Sequence, residues 1–195
     1  MVKKIISFAD SYLDSQDVRY YPTIGYSDHG SDITMTVGKS GQGFIRRGVI
    51  AFDLSSVPDV RQIRSVKMVL YNTYPWASMN VYAYRLTRSN WTESGVCWVR
   101  YDSSHSWTNW GGDYTTTNGA VCYIAGEAWY TWDITALAKD SFSAFSKQVH
   151  VLLWGDTGPA AYPRSFRTRD YTGAEKPYLL VTTDDGAMFL LNHKK

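Results

Sequence analysis

Arg47-Gly48-Val49-Ile50-Ala51-Phe52-Asp53-Leu54-Ser55-Ser56-Val57-Pro58, followed by Ile63-Arg64-Ser65-Val66-Lys67-Met68-Val69-Leu70-Tyr71, decides the fold class of this chain. In the first run Gly48, Ile50 and Phe52 alternate with Val49, Ala51 and Asp53. In the second, Val66, Met68 and Leu70 alternate with Lys67, Val69 and Tyr71. A period of two sends successive side chains to opposite faces of an extended strand, where a helix would repeat at about 3.6 residues. Both runs are apolar on much of both faces, which is expected where a second layer or a partner covers the outer side. Pro58-Asp59 breaks the chain between them.

The same alternation extends outward. Ile33, Met35 and Val37 are set against Asp32, Thr34 and Thr36, and Tyr82, Tyr84 and Leu86 against Val81, Ala83 and Arg85. Val149, Val151 and Leu153 are set against His150, Leu152 and Trp154. Turn residues punctuate the chain at Gly38 to Gly43, Tyr74-Pro75, Asn109 to Gly112, Asn118-Gly119, Gly155 to Pro159 and Thr172-Gly173. About ten short strands between turns predict an all-β, jelly-roll-like antiparallel sandwich rather than a βαβ fold. One segment departs from the pattern. Asp133 to Phe142 reads as a single short helix, capped by Thr135 or Asp133, that closes one end of the sandwich. Residues 1–185 form one sandwich domain in this reading. Residues 186–195 are a hydrophobic and basic tail whose Phe189, Leu190 and Leu191 either fold back on the sheet or dock onto a partner subunit.

Composition narrows the function classes. The 195 residues are 44% hydrophobic and 19% charged, enough apolar material for a full core. A net charge of +2 with no basic stripe argues against nucleic-acid binding. No run approaches the roughly 18 apolar residues of a membrane span. Asp10 and Asp14 interrupt the apolar stretch after Lys3-Lys4 before a signal peptide can form. Cys97 and Cys122 are too few for a disulfide framework; they read as reduced core residues, with a bridge between neighbouring strands as the alternative.

Catalytic and metal motifs are sparse. His29, His105, His150 and His193 stand in unrelated contexts without zinc spacing, and no G-x-S-x-G elbow is present. Gly41-Gln42-Gly43 is a hairpin loop, not a phosphate cradle. A Tyr/His/Arg group of the polysaccharide-lyase kind would converge only in space. Asp10, Asp14 and Asp17 cluster near the first strand. Asp10 and Asp14 are candidate ligands of a structural calcium, which takes six to eight oxygens from loops and carboxylates; ordinary turn chemistry explains the same residues. The strongest binding candidate is Trp107-Thr108-Asn109-Trp110-Gly111-Gly112-Asp113-Tyr114. Its rings offer faces for sugars, and Asn109 and Asp113 offer hydrogen bonds; the alternative is that Trp107 and Trp110 plug the end of the sandwich. Arg167 and Arg169, on one face by alternation, add forks suited to carboxylates, while Arg46 and Arg47 fall on opposite faces. Pairing of these arginines with Asp53, Asp133 or Asp170 is the structural alternative.

The opening run resembles the "FDLS-IP … I-SA-L-LY" signature of DNRLRE-type domains, sandwich modules related to alginate-binding carbohydrate-binding modules. The likeness continues in order through Val81 to Thr87, Trp91 to Trp98, Trp107 to Gly112, Trp132-Asp133-Ile134-Thr135, Phe166 to Asp170 and Pro177-Tyr178-Leu179. Cys97 stands where Thr is usual before Trp98, the DNRLRE string itself is absent, and the 186–195 tail is extra. The resemblance implies a non-catalytic jelly-roll module, often surface-displayed and sometimes calcium-bearing. Family members usually sit in large secreted proteins, whereas this sequence begins at Met1 without a signal. The expectation is therefore a bacteriophage virion surface component, a capsid decoration or fibre-like protein made in the host cytoplasm. It would assemble as a homo-oligomer on a capsid or other virion protein and adhere to glycans. The alternatives are a stand-alone module for acidic polysaccharide and a polysaccharide-active enzyme.

Overall fold

The computed structural model describes residues 1–16, 28–76, 78–158 and 162–184. The expected tail contacts of Phe189, Leu190 and Leu191 lie outside the described residues, as does Asp17. The two runs that open the sequence reading become β4 (Ile45–Asp53) and β5 (Ile63–Asn72). The other strands are β1 (Val2–Ile6), β2 (Ala9–Asp14), β3 (Thr34–Lys39), β6 (Ser78–Leu86), β7 (Tyr114–Ala125), β8 (Ala128–Asp133), β9 (Gln148–Gly155), β10 (Arg164–Arg167) and β11 (Tyr178–Thr183). Eleven strands and one α-helix, α1 (Thr135–Ala144), make this an all-β protein, and every named strand pairing is antiparallel.

The strands form two layers. In the first, β5 lies between β8 and β11, with β1 outside β11. Beyond the end of β11, β10 takes up the same edge of β5 through Phe166 and Asn72, and β3 flanks β10. In the second, the order is β2, β4, β9, β6, β7. β3 joins the two. Thr34 to Val37 pair with β10 in the first layer, and Gly38 and Lys39 pair with β4 in the second. The strand changes sheet at Gly38, whose φ is 119°. A Cβ there would be strained and would lie 3.2 Å from the Pro163 backbone.

The interior between the layers is filled by the alternate residues of these strands: Ile50 and Phe52 of β4, Met68 and Leu70 of β5, Val149, Val151 and Leu153 of β9, Val81 and Ala83 of β6. Each large side chain so buried contributes about 1.5–3 kcal/mol. Trp132 of β8 is fully buried and donates its Nε1–H to Val81 O across the gap at 2.7 Å, tying the layers by a polar contact as well. The helix α1 packs against β5 of one layer and β7 and β9 of the other. Its cap differs from both expected residues. Ile134 occupies the cap position, and Asp133, one residue earlier, accepts from the backbone N–H and the hydroxyl of Thr135. Thr135 Oγ1 in turn accepts from Val66 N, so the expected capping hydroxyl is spent on anchoring the helix to β5. Neither cysteine forms a disulfide; Cys97 is buried and Cys122 half-buried.

A second apolar cluster lies on the opposite side of the second layer. Val49, Ala51, Leu86 and Leu152 project outward from β4, β6 and β9, and the segment between β6 and β7 folds over them with Trp91, Val96, Trp98, Tyr101 and Trp107. This cover explains why β4 and β9 are apolar on both faces. His150 is sealed beneath it, among Trp91, Phe8 and Phe145, with Trp91 Nε1 donating to its Nδ1 at 2.9 Å and Gln148 Oε1 3.0 Å from its Nε2.

Burial pushes the His150 imidazole pKa down from 6.5 to about 4. Between these values the unfolded chain holds a proton on this ring and the folded chain does not, so folding is opposed there. The stability carried by His150 is therefore complete above pH 6.5 and is lost as pH falls towards 4. The unfolding free-energy difference between wild type and His150→Gln should shrink by about 3 kcal/mol between pH 7 and pH 4. Equal differences at the two pH values, in urea titrations of both proteins, would refute this.

Candidate functional site

The cover stops short of the β7 edge, and what it leaves open is aromatic. Strand register places Arg47 (β4) opposite Trp154 (β9), Trp154 opposite Tyr82 (β6), and Tyr82 opposite Val121 (β7), one cross-strand row on the outer face of the second layer. Tyr84, two residues along β6, and Tyr114, at the start of β7, extend the row towards the cover. Tyr82 and Tyr84 are stacked at 5.8 Å between centroids and Tyr84 and Tyr114 at 5.5 Å. Trp154 meets Tyr84 and Tyr114 edge-on at 6.4 and 5.5 Å. All four rings are half-buried, so each keeps surface to offer.

Arg47 stands at the end of this row. Its guanidinium lies 4.2 Å from the Trp154 ring centroid, 5.1 Å from that of Trp98 and 5.6 Å from that of Tyr114. Burial pulls its pKa below the ordinary arginine value. Its charge stays in place because the ordinary value is so high and because ring faces attract a cation. Nη1 donates to Gly111 O at 2.7 Å, while Nε is buried without a partner, and among the described residues no carboxylate pairs with this side chain. The close approach needs Gly111. Its φ is 83°, and a Cβ would lie 2.7 Å from both Arg47 Nη1 and the Trp98 ring.

The loop singled out in the sequence divides between support and surface. Trp107 is buried at 3% exposure and donates Nε1–H to Cys97 O at 2.9 Å, so it is a pillar of the cover. Trp110, three residues on, is 59% exposed. Asp113 is buried and organises the loop, accepting from Thr108 N and Arg88 Nε on Oδ2 and from Asn109 N on Oδ1. Burial raises its pKa, but these hydrogen bonds outweigh that and hold the carboxyl below its ordinary value. Tyr114 separates two open clefts. One of about 530 Å³ is lined by Arg47, Asn109, Trp110, Tyr114, Thr115 and Thr116 among others; the other, of about 440 Å³, lies above Arg88, Thr108 and Asp113. Asn109, Trp110 and Tyr114 thus share one site, with Asp113 beneath it.

Other expected site residues lie elsewhere. Arg167 ends β10 with its guanidinium 3.8 Å from the Tyr171 ring, and Arg169, beyond the strand, makes a two-pronged pair with Glu93 at 2.7 and 2.8 Å. Neither reaches the clefts beside Tyr114. Of the expected arginine partners, Asp170 pairs with Arg169 at 4.0 Å, secondary to Glu93, while Arg46 pairs with Asp14. Asp10 and Asp14 do not form one metal site. Four residues apart on β2, they are separated by about 13 Å of strand rise, and Asp14 is occupied by Arg46 Nε at 2.6 Å and Gln16 N at 2.9 Å. Asp10 instead meets Glu93 and Asp170. No helix among the described residues is long and apolar enough to cross a membrane. Arg47, Tyr82, Tyr84 and Trp154 were not singled out in the sequence as site residues. The signal for Tyr82 and Tyr84 was their shared face on β6; nothing local placed Trp154 beside them.

The family model of carbohydrate-binding module family 96 matches residues 3–183, which include both layers, the cover and the aromatic row. No curated protein matches the chain.

The placement of the two tryptophans separates their effects. Trp107→Ala should lower stability by about 3–5 kcal/mol in a denaturant titration, the cost of emptying a buried aromatic site. Trp110→Ala should leave the midpoint nearly unchanged. Equal midpoints for the two variants would contradict the assignment of Trp107 to the core.

Proposed function

The chain belongs to carbohydrate-binding module family 96, and from that membership we propose that it binds acidic polysaccharide, with uronic acids of the alginate kind as the sugar class, on the outer face of its second layer. The observation that carries this reading is Arg47. A guanidinium that is half-buried among three aromatic faces, without a carboxylate partner among the described residues, supplies what a uronate needs: a fixed fork for the carboxylate beside flat surfaces for the ring. Tyr114 and Trp110 provide the flanking faces, and the Asn109 side-chain amide adds donors and an acceptor for hydroxyls. The clefts are open and shallow, as suits a segment of a long chain rather than an enclosed small molecule.

The role is binding without catalysis. The residues at the platform are rings, an amide, threonines and one arginine held charged, a set suited to gripping a sugar chain. His29 stacks on Tyr12, His105 pairs with Asp102 and His150 is sealed under the cover, and none of the three lines the clefts beside Tyr114.

A narrower proposal concerns where the module is displayed: as repeated copies on a bacteriophage particle, as a decoration or fibre-like component, with the platform turned outward. What supports it is the two-sidedness of the sandwich. The outer face of the first layer carries a second aromatic group, Tyr71, Trp129 and Tyr178, with Trp129 42% exposed, through which a carrier could hold the module. Sedimentation of the protein with intact particles tests this, and recovery only in the supernatant would end it.

The glycan reading makes a charge-specific prediction. In calorimetric titrations, Arg47→Met should weaken binding to a polyuronate about ten- to hundred-fold, the loss of a charge-assisted hydrogen bond. The carboxyl-reduced form of the same polymer should bind wild type as weakly as the native polymer binds the variant. Trp110→Ala should weaken both polymers. Equal wild-type affinity for the native and the carboxyl-reduced polymer would overturn the assignment to acidic glycans.

A further inference from the structure

Among the described residues, β1, β2, β7 and β8 each pair with a strand on one side only. β1 carries Lys3 and Lys4, β2 carries Asp10 and Asp14, and β8 ends in Asp133, charges of the kind by which a free edge discourages pairing. β7 is the longest of the four and carries none. Much of its edge is nonetheless closed. Thr116 to Gly119 bulge out opposite Tyr84, with Asn118 at a φ of 58° and its side-chain amide bonded to Asp140. At the other end Ala125 N donates to Tyr130 Oη at 2.9 Å. On β6, Asn80 turns its backbone away from β7 to Asp156, so Val81 and its partner Cys122 bond within the ladder. Alternation then sends the backbone N–H and C=O of Val121 and Tyr123 to the free side. Among the described residues the one hydrogen bond made to them there is a weak one, from Cys122 Sγ to Tyr123 O at 3.8 Å. Their side chains, 54% and 60% exposed, lie on the outer face with Tyr82.

The opening is short and symmetrical about Cys122. A longer guest strand would meet the bulge at one end and Tyr130 at the other, whereas a copy of the same strand related by a two-fold axis needs only Val121 and Tyr123. We propose that β7 pairs antiparallel with β7 of a second copy of this chain, Val121 against Tyr123, with Cys122 on the axis. Each Val121–Tyr123 pair exchanges both of its backbone hydrogen bonds and sets a β-branched side chain against an aromatic ring. Two-fold pairing brings every residue near its own copy, so a charge on this segment would meet its like, and the strand carries none. Glu127, just beyond it, is drawn to the other layer by Tyr71, whose hydroxyl donates to it at 3.0 Å. The second layer then runs from one copy into the next. The cross-strand row from Arg47 through Trp154 and Tyr82 to Val121 continues onto Tyr123 of the second copy. On the glycan reading this joins two platforms on one face, but the pairing itself does not rest on that reading.

The test uses the full chain without polysaccharide, which keeps its outcome separate from that of the polyuronate titrations. So small an interface makes a weak dimer. In sedimentation equilibrium the mass of the reduced protein should rise from one chain towards two between about 10 µM and 1 mM. Tyr123→Pro removes an N–H that faces the free edge and puts a ring in its place, a change that an edge strand tolerates. It should stay a single chain over the same range while keeping the far-UV circular dichroism of wild type. If the proline variant does not fold, Tyr123→Lys takes its place, since it brings two ammonium groups diagonally across the axis. A non-hydrogen-bonded antiparallel pair holds its Cα atoms about 4.5 Å apart, within reach of a disulfide. Oxidation of the dimer by copper phenanthroline in air should therefore link the two Cys122 thiols, and Cys122→Ser should abolish the link. Wild type that remains a single chain across the range, a folded variant that associates as wild type does, or an oxidised dimer not linked through Cys122 would overturn the proposal.

Discussion

The outer side of the second layer has to be covered, and much of the molecule is a response to that requirement. Val49, Ala51 and Leu152 face away from the sandwich interior yet are fully buried. Left in water, they would expose a patch large enough to drive association. The segment between β6 and β7 meets the demand with Trp91, Trp98, Tyr101 and Trp107, rings large enough for one loop to form a third layer over part of the sheet. Because that segment enters at Leu86 and returns at Tyr114, two residues paired across β6 and β7, the cover is pinned at the place where the platform begins. The platform is what remains: the same outer face, with rings that are half-buried because the cover ends beside them.

Arginine chemistry sorts the molecule's cations by role. Arg46, Arg88 and Arg169 each close onto a carboxylate, of Asp14, Asp113 and Glu93 respectively, and each of those pairs fastens a loop or strand end. Arg47 lies next to Arg46 in sequence but on the opposite face, among rings and a backbone carbonyl. Two neighbours thus take opposite functions because the strand period is two. Lysine at 47 would be a poorer choice: its compact ammonium is strongly hydrated and cannot lie flat between Trp98 and Trp154 while donating to Gly111.

Strand identity and the two-sided apolar character of β4 and β9 were legible in the sequence, since both depend on alternation within a few residues. The aromatic loop was legible as a feature but not in its parts. Trp107 and Trp110 are both loop tryptophans beside small and polar residues, and their order carries no sign of which turns inward. That is decided by the buried carbonyl of Cys97, which only the fold brings to Trp107. The helix cap was misplaced for a related reason: Thr135 has a long-range partner, Val66 N, that competes for its hydroxyl. Asp10 was recognisable as an acidic residue breaking an apolar stretch, but the carboxylates it meets lie 83 and 160 positions away by sequence number. Asp14, the nearest candidate along the strand, is excluded by strand rise alone.

The position of the cover bears directly on how well the platform can bind. Asn109 and Trp110 belong to a turn held from below by Asp113, which takes donors from the Thr108 backbone, from both the backbone and the side-chain amide of Asn109, and from Arg88. Gly111 and Gly112, both at positive φ, then return the chain towards β7 without side chains in the way of Arg47 and Leu152. A turn fixed in this manner has already lost most of its conformational freedom before a ligand arrives, so little ordering entropy remains to be spent on binding. Shallow clefts make few contacts per sugar, and their affinity depends on that saving more than an enclosed pocket's would. The buried carboxylate of Asp113 therefore acts through the loop, by holding the turn that carries Asn109 and Trp110 in place beside Tyr114.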